Sequence, residues 1–251
     1  MAKAGSIYLS LILTGVFAHL FFRANIIEPG DAATTARNIL NKDLIFRLGF
    51  VADLIYITSF IFLGLVFYRM FYHTEKNHAL ALLTVVLVSN AVMGLNMLTQ
   101  FAAQYVMNGA NFLNVFQPEQ LQALSLLFLD LHKHGVHIGY LFFGLWLLPL
   151  GLLVIKSSDF GTVMANITGS LLIAGFVGYQ IDFLSYFLVP SHYSIISSFA
   201  TIPADIGEII LCFWLIAKGT KRNLKLKVVY SANSQDERPQ RKKCNENTNS
   251  I

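Results

Sequence analysis

Disulfide and charge are what this chain has least of. Its cysteines number two, Cys212 and Cys244, and they fall in an apolar stretch and a polar tail, which excludes a disulfide framework. Charged residues make up 13% of 251 residues against 55% hydrophobic ones. With a mean hydropathy of +0.58, that balance excludes an ordinary soluble domain and fits a polytopic membrane protein. The HExxH signature of helical zinc hydrolases is missing. The basic C-terminal stretch lacks interleaved aromatics, which argues against nucleic-acid binding.

What is present is six apolar stretches, at 7–22, 48–72, 79–105, 134–155, 160–189 and 196–217. Each is near the ~20 residues that cross ~30 Å of hydrocarbon, the first being short and the third and fifth long enough to tilt. The expected fold is all-α: a polytopic membrane helical bundle of six transmembrane helices with short outer interfacial helices, over residues 1–219. Residues 220–251 form a basic cytoplasmic tail, disordered and attracted to anionic lipid headgroups. Short cytoplasmic loops retain Lys and Arg. With both termini inside, the basic residues divide 13 against 5, a bias that rests on the tail. The first stretch reads as an uncleaved helix, since Ala18-His19-Leu20 followed by Phe21-Phe22 is a poor cleavage context.

Between the stretches, Ile27-Glu28-Pro29-Gly30-Asp31 is a turn leading into a helix, with Asp31 placed to cap it. Ile39, Leu40, Leu44 and Ile45 give that segment an apolar side, so it is expected on the outer interface or folded over the bundle as a lid. Pro118 suits a first helical turn. A helix running from there to Ile155 would be ~57 Å long, so it must project or bend, and Gly135 is the expected bend. Gly135, Gly139, Gly144, Gly169, Gly175 and Gly178 allow close helix approach, while the 21 Phe are expected to face lipid.

The chemistry gathers near one end of the stretches. His19 and Arg23 are a turn apart; Asp53 lies just inside Arg47; Asn96, Gln100 and Gln104 form a stripe; Asp130, His134 and His137 share a helix face. Tyr179, Asp182 and Tyr186 follow, then Asp205 and Glu208 one turn apart, near Pro203. An ionised group in hydrocarbon costs ~2.5–3.5 kcal/mol or more, so a shared layer of them points to a polar site. Arg47, with Asp53 as a counter-charge, fits snorkelling, and Asn96 and Gln104 fit interhelical hydrogen bonding. Pro203 would either break a helix or begin one, and both versions put Asp205 and Glu208 at a lined cavity. A metal site from His134, His137 and Asp182 or Asp205 is the weaker chemical option beside proton-linked binding.

Gly30-Asp31-Ala32-Ala33, Arg47-Leu48-Gly49-Phe50-Val51-Ala52-Asp53-Leu54 and Leu127-Phe128-Leu129-Asp130-Leu131-His132 resemble the prokaryotic membrane proteins of the domain-of-unknown-function family numbered 4386. Ile138-Gly139, Phe142-Phe143-Gly144-Leu145, Ile206-Gly207-Glu208 and Trp214-Leu215 extend the resemblance to about Gly219. It implies a multi-pass protein of a prokaryotic plasma membrane and no particular activity. Asp53, Asp130, His132, Asp182 and Glu208 fall on or near its motifs; His134, His137 and Asp205 are not placed in its pattern. The leading expectation is a non-enzymatic protein whose outward-facing cavity binds a small solute, cation or proton through Asp130, Asp182, Asp205 and Glu208, with Asp53 nearby and His132 or His134 titrating. The alternatives are an intramembrane metal-assisted hydrolase, holding zinc on His134, His137 and Asp182 or Asp205, and an accessory subunit whose polar layer is structural.

Overall fold

The computed structural model describes residues 2–18, 24–109 and 111–220. His19, Arg23 and the tail from residue 221 lie outside them. The described chain is helical throughout: α1 (Ala2–Phe17), α2 (Ala32–Asn41), α3 (Asp43–Phe71), α4 (Lys76–Met107), α5 (Pro118–Lys156), α6 (Thr162–Leu188) and α7 (Tyr193–Thr220). A single turn at Ala24–Ile26 and a 3-10 segment at Asn111–Val115 complete it. Helices α3 to α7 are each long and apolar enough to cross a membrane, which gives five candidate spans rather than six. Helix α1 has 16 residues, about 24 Å against ~30 Å of hydrocarbon, and residues 19–23 lie outside the described ones.

Helix α5 is the hub, packed between α4 and α6, while α3 lies against α4 and α1, and α2 lies over the far part of α5. α5 runs for 39 residues without a break in its helical hydrogen bonding, about 58 Å along its path, and Gly135, where a bend is expected, does not interrupt it. Gly135 instead leaves room for the Asn96 side chain of α4, which a Cβ there would displace. The excess length projects past the spans, where α2 covers it. Its start is fixed by a capping box, with Gln117 N–H donating to the Gln120 side chain at 2.9 Å. Asp31 caps α2 as expected, accepting from Thr34 N–H at 2.9 Å, and the Thr34 amide and hydroxyl hold its carboxyl below the usual range.

The core corrects the expectation that phenylalanine faces lipid. Phe60, Phe67 and Phe71 pack with Tyr8, Trp146 and Leu147 in the main core, and Phe46 with Ile26 and Ile39 in a smaller one. Phe62, Phe101, Phe199 and Phe213 do lie on the outside. Large rings fill the space between α1, α3 and α5, while glycines on α5 make room for α4 and α6, and glycines on α6 bring it close to α7.

The two ends of the bundle differ. At the α5 C-terminus Lys156 donates to Glu75 at 2.6 Å, and His78 lies 2.6 Å from the same carboxylate. Lys218 donates to Asp159 and stands over the Trp214 ring. This is the Glu75 end. The opposite end carries α2 and the histidines and is called the α2 end.

Candidate functional site

Close helix approaches set the depth of each side chain. Gly175 abuts Ala204, Gly178 abuts the Ala200 carbonyl, and Gly207 abuts Leu171 and Leu172. Helices α6 and α7 are therefore antiparallel, with Asp182 level with Ser197. Glu208 lies eleven residues further along α7, about 16 Å deeper. The acidic residues do not form the single layer that the sequence leads one to expect. They form two groups.

The break in α7 has a local cause. Its first part ends at Ala200, Thr201 forms a turn, and the helix resumes at 202–220 with Pro203 in its first turn, where a missing N–H costs least. Asp205 N–H donates to the Thr201 carbonyl at 3.1 Å. Gly178, lacking a side chain, lets α6 press against that turn.

The first group lies toward the α2 end. The Asp182 side chain is fully buried and neither carboxyl oxygen closes a hydrogen bond. The Tyr193 and Ser197 hydroxyls face it from α7, and Ser197 donates to Tyr193 Oη at 3.3 Å. Tyr193 Oη lies 3.4 Å from His137 Nδ1. The His137 ring stacks on Tyr186 at 3.6 Å between centroids, and Tyr186 Oη lies 2.8 Å from Nδ1 of exposed His134. Asp130, exposed one turn away on α5, also acts on Tyr186. A buried carboxyl is thus joined to the surface by alternating hydroxyls and imidazoles.

The second group is deeper. Glu208 is half-buried and is faced by Tyr8 of α1, Tyr179 of α6 and the acidic Asp205 of its own helix, itself exposed. The Tyr8 hydroxyl, fully buried, turns toward Glu208 without closing a full hydrogen bond.

Other expected residues go elsewhere. His132 is buried on the opposite side of α5, with Nδ1 3.2 Å from the Asn96 carbonyl, while the Asn96 amide donates to the His132 carbonyl at 2.9 Å. It faces α4 rather than Asp182, because two residues on a helix are ~200° apart. Arg47 pairs with Asp43 one turn away at 2.7 Å, and Gln104 donates to the same Asp43 at 2.6 Å. Asp53 is buried on α3. Gln100, wholly buried, is the one member of the amide stripe whose side chain closes no hydrogen bond. Among the described residues no three His, Cys, Asp or Glu converge closely enough to hold a metal ion. A hollow of about 380 Å³ lies by the 3-10 segment, lined by Leu40, Met107, Leu113, Phe116 and Leu121, away from every carboxylate named above.

The family model described as "Domain of unknown function (DUF4386)" matches residues 3–219 of the chain. The chain belongs to the DUF4386 family. The DUF4386 chain is 38% identical over 84 residues to an uncharacterised protein of Archaeoglobus fulgidus, covering 34% of this chain and 46% of that one. It thus spans about half the length of that relative. No solved structure matches it.

Sequence reasoning missed the hydroxyls of this DUF4386 chain. Tyr8, Tyr56, Tyr140, Tyr193 and Ser197 all border the two acidic groups. Charge and amide patterns cannot reveal them, since tyrosine is common in spans. The one available signal was position: Tyr193 and Ser197 are four apart, on the helix face that meets Asp182.

Proposed function

We propose that this is a non-enzymatic multi-pass protein of a prokaryotic plasma membrane that binds and releases a proton in the outer half of its bundle. Asp182 is the binding carboxyl. Tyr193, Ser197, His137, Tyr186 and His134 lead to it from the outer face, with Asp130 at the mouth. In this orientation the α2 end is outside and both termini are cytoplasmic, the basic tail lying against anionic lipid.

The observation that carries the reading is the fully buried Asp182, with neither carboxyl oxygen hydrogen-bonded and two hydroxyls turned toward it. Burying an ionised carboxylate without a partner costs far more than burying a neutral one, so such a group is held with a proton or a cation. The neighbours favour the proton, because histidine and tyrosine pass one along and no metal-sized ligand set forms around Asp182 among the described residues.

The test is Asp182→Asn in detergent-solubilised protein, read by proton uptake and release in an unbuffered pH jump. The substitution removes uptake while the variant keeps its thermal midpoint. Unchanged uptake would return the polar layer to a structural role and favour the accessory-subunit reading.

A further inference from the structure

We propose that Tyr186 is a latched flap on the way to Asp182: its ring covers His137, its hydroxyl is hydrogen-bonded to His134, and a proton passes when the ring swings aside. That a proton is what passes rests on the proposed binding at Asp182, while the flap itself stands on the distances around Tyr186. Two hydrogen-bonded limbs meet at this residue without joining. The outer limb is one bond, between Tyr186 Oη and Nδ1 of exposed His134 at 2.8 Å. The inner limb is looser. His137 Nδ1 lies 3.4 Å from Tyr193 Oη, which accepts from Ser197 at 3.3 Å, beside buried Asp182. Between the limbs the Tyr186 and His137 rings lie face to face, 3.6 Å apart between centroids and 19° from parallel. An imidazole carries its N–H in the ring plane and a phenol its O–H close to that plane, so neither points across such a stack. The stack therefore interrupts the path that the neighbouring hydroxyls and imidazoles lay out.

The packing indicates which ring moves. His137 is buried, with Tyr186 on its face and Tyr140 and Tyr193 edge-on at 5.2 and 5.3 Å between centroids. Tyr186 is the more exposed of the stacked pair, half-buried in the last turn of α6, which ends at Leu188. The bond to His134 fastens its tip to α5. His137 is held on three sides, whereas Tyr186 can turn outward once that bond opens. A flap and a carrier predict opposite signs. Were Tyr186 to hand the proton on, losing its hydroxyl would slow uptake; as a latched flap, losing its hydroxyl speeds it.

The test is a stopped-flow pH jump on the full chain in detergent, each variant measured against the same chain carrying Asp182→Asn, so that the difference is uptake at Asp182. Tyr186→Phe keeps the ring and loses the latch, and His134→Ala loses the latch from the other side. Both are expected to speed uptake several-fold without changing its amount, and Tyr186→Ala, which removes the cover, by about tenfold or more. Uptake that is slower or unchanged in Tyr186→Phe and His134→Ala overturns the flap. A second readout needs no proton at Asp182: carbethoxylation of His137 by diethyl pyrocarbonate, located by mass spectrometry. Labelling of His137 should be slow in the unmodified chain and faster in both latch variants at matched thermal midpoint; equal labelling in all three overturns the flap. If Asp182→Asn takes up protons as the unmodified chain does, the proton reading falls, and the labelling then decides the flap by itself.

Discussion

At the residue scale the glycines give the sharpest expectations. A Cβ on Gly178 would run into the Ala200 carbonyl, backbone that cannot swing aside. Gly178→Ala should destabilise the bundle by about 1–3 kcal/mol, measured by reversible unfolding in mixed detergent. Gly94→Ala, where nothing lies within 4 Å of the added carbon, should be neutral or slightly stabilising. Glu75 gives a pH expectation. The Lys156 ammonium, helped by His78, holds its carboxyl below the usual range. A lowered folded value means the link stabilises the protein above the unfolded value of about 4.3, and loses that contribution as pH falls through the lower folded value. The thermal midpoint should therefore drop on acidification below about pH 4, and Glu75→Gln should remove part of that drop. An equal acid sensitivity in the variant would show the link to be inert. Which residues were polar could be read from the sequence; which way they faced could not. His132 and His134 are two apart and face different helices, a distinction that needs the register of α5 against α4 and α6.

At the scale of elements, α5 shows that one sequence pattern can have two readings. Length and a glycine suggest a bend, but a glycine under a neighbour's side chain also relieves crowding, and Asn96 is that neighbour. Spin labels at Glu119→Cys and Ile155→Cys, with the native cysteines replaced by alanine, should read about 54 Å between backbone positions. A helix bent at Gly135 would read clearly shorter. The caps of α2 and α5 and the restart of α7 at Pro203 were legible because Asp31, Pro118 and Pro203 act locally, whereas the contact of that turn with Gly178, 25 residues before Pro203, was not. The depth difference between Asp182 and Glu208 had the same origin. Spans drawn on sequence can slide by two turns, and only the α6–α7 register fixes them.

At the scale of the molecule, membrane character follows from composition, and five of the expected spans stand as long apolar helices. The orientation expected from the basic tail is open to labelling in cells. Cys244, in the tail, should resist a membrane-impermeant maleimide, while Val115→Cys, on the exposed 3-10 segment, should react; the reverse pattern would turn the protein over and put the histidines inside. Whichever way it faces, the central feature is a carboxyl buried without a partner at the inner end of a hydroxyl and imidazole chain. Infrared difference spectroscopy between acid and neutral buffer observes that carboxyl directly. The carbonyl component of a buried protonated carboxyl group, distinct from the bands of the exposed carboxylates that also gain protons in acid, should appear in the unmodified protein, persist in Glu208→Gln and be missing in Asp182→Asn. A spectrum that Asp182→Asn leaves unchanged would contradict proton binding at Asp182.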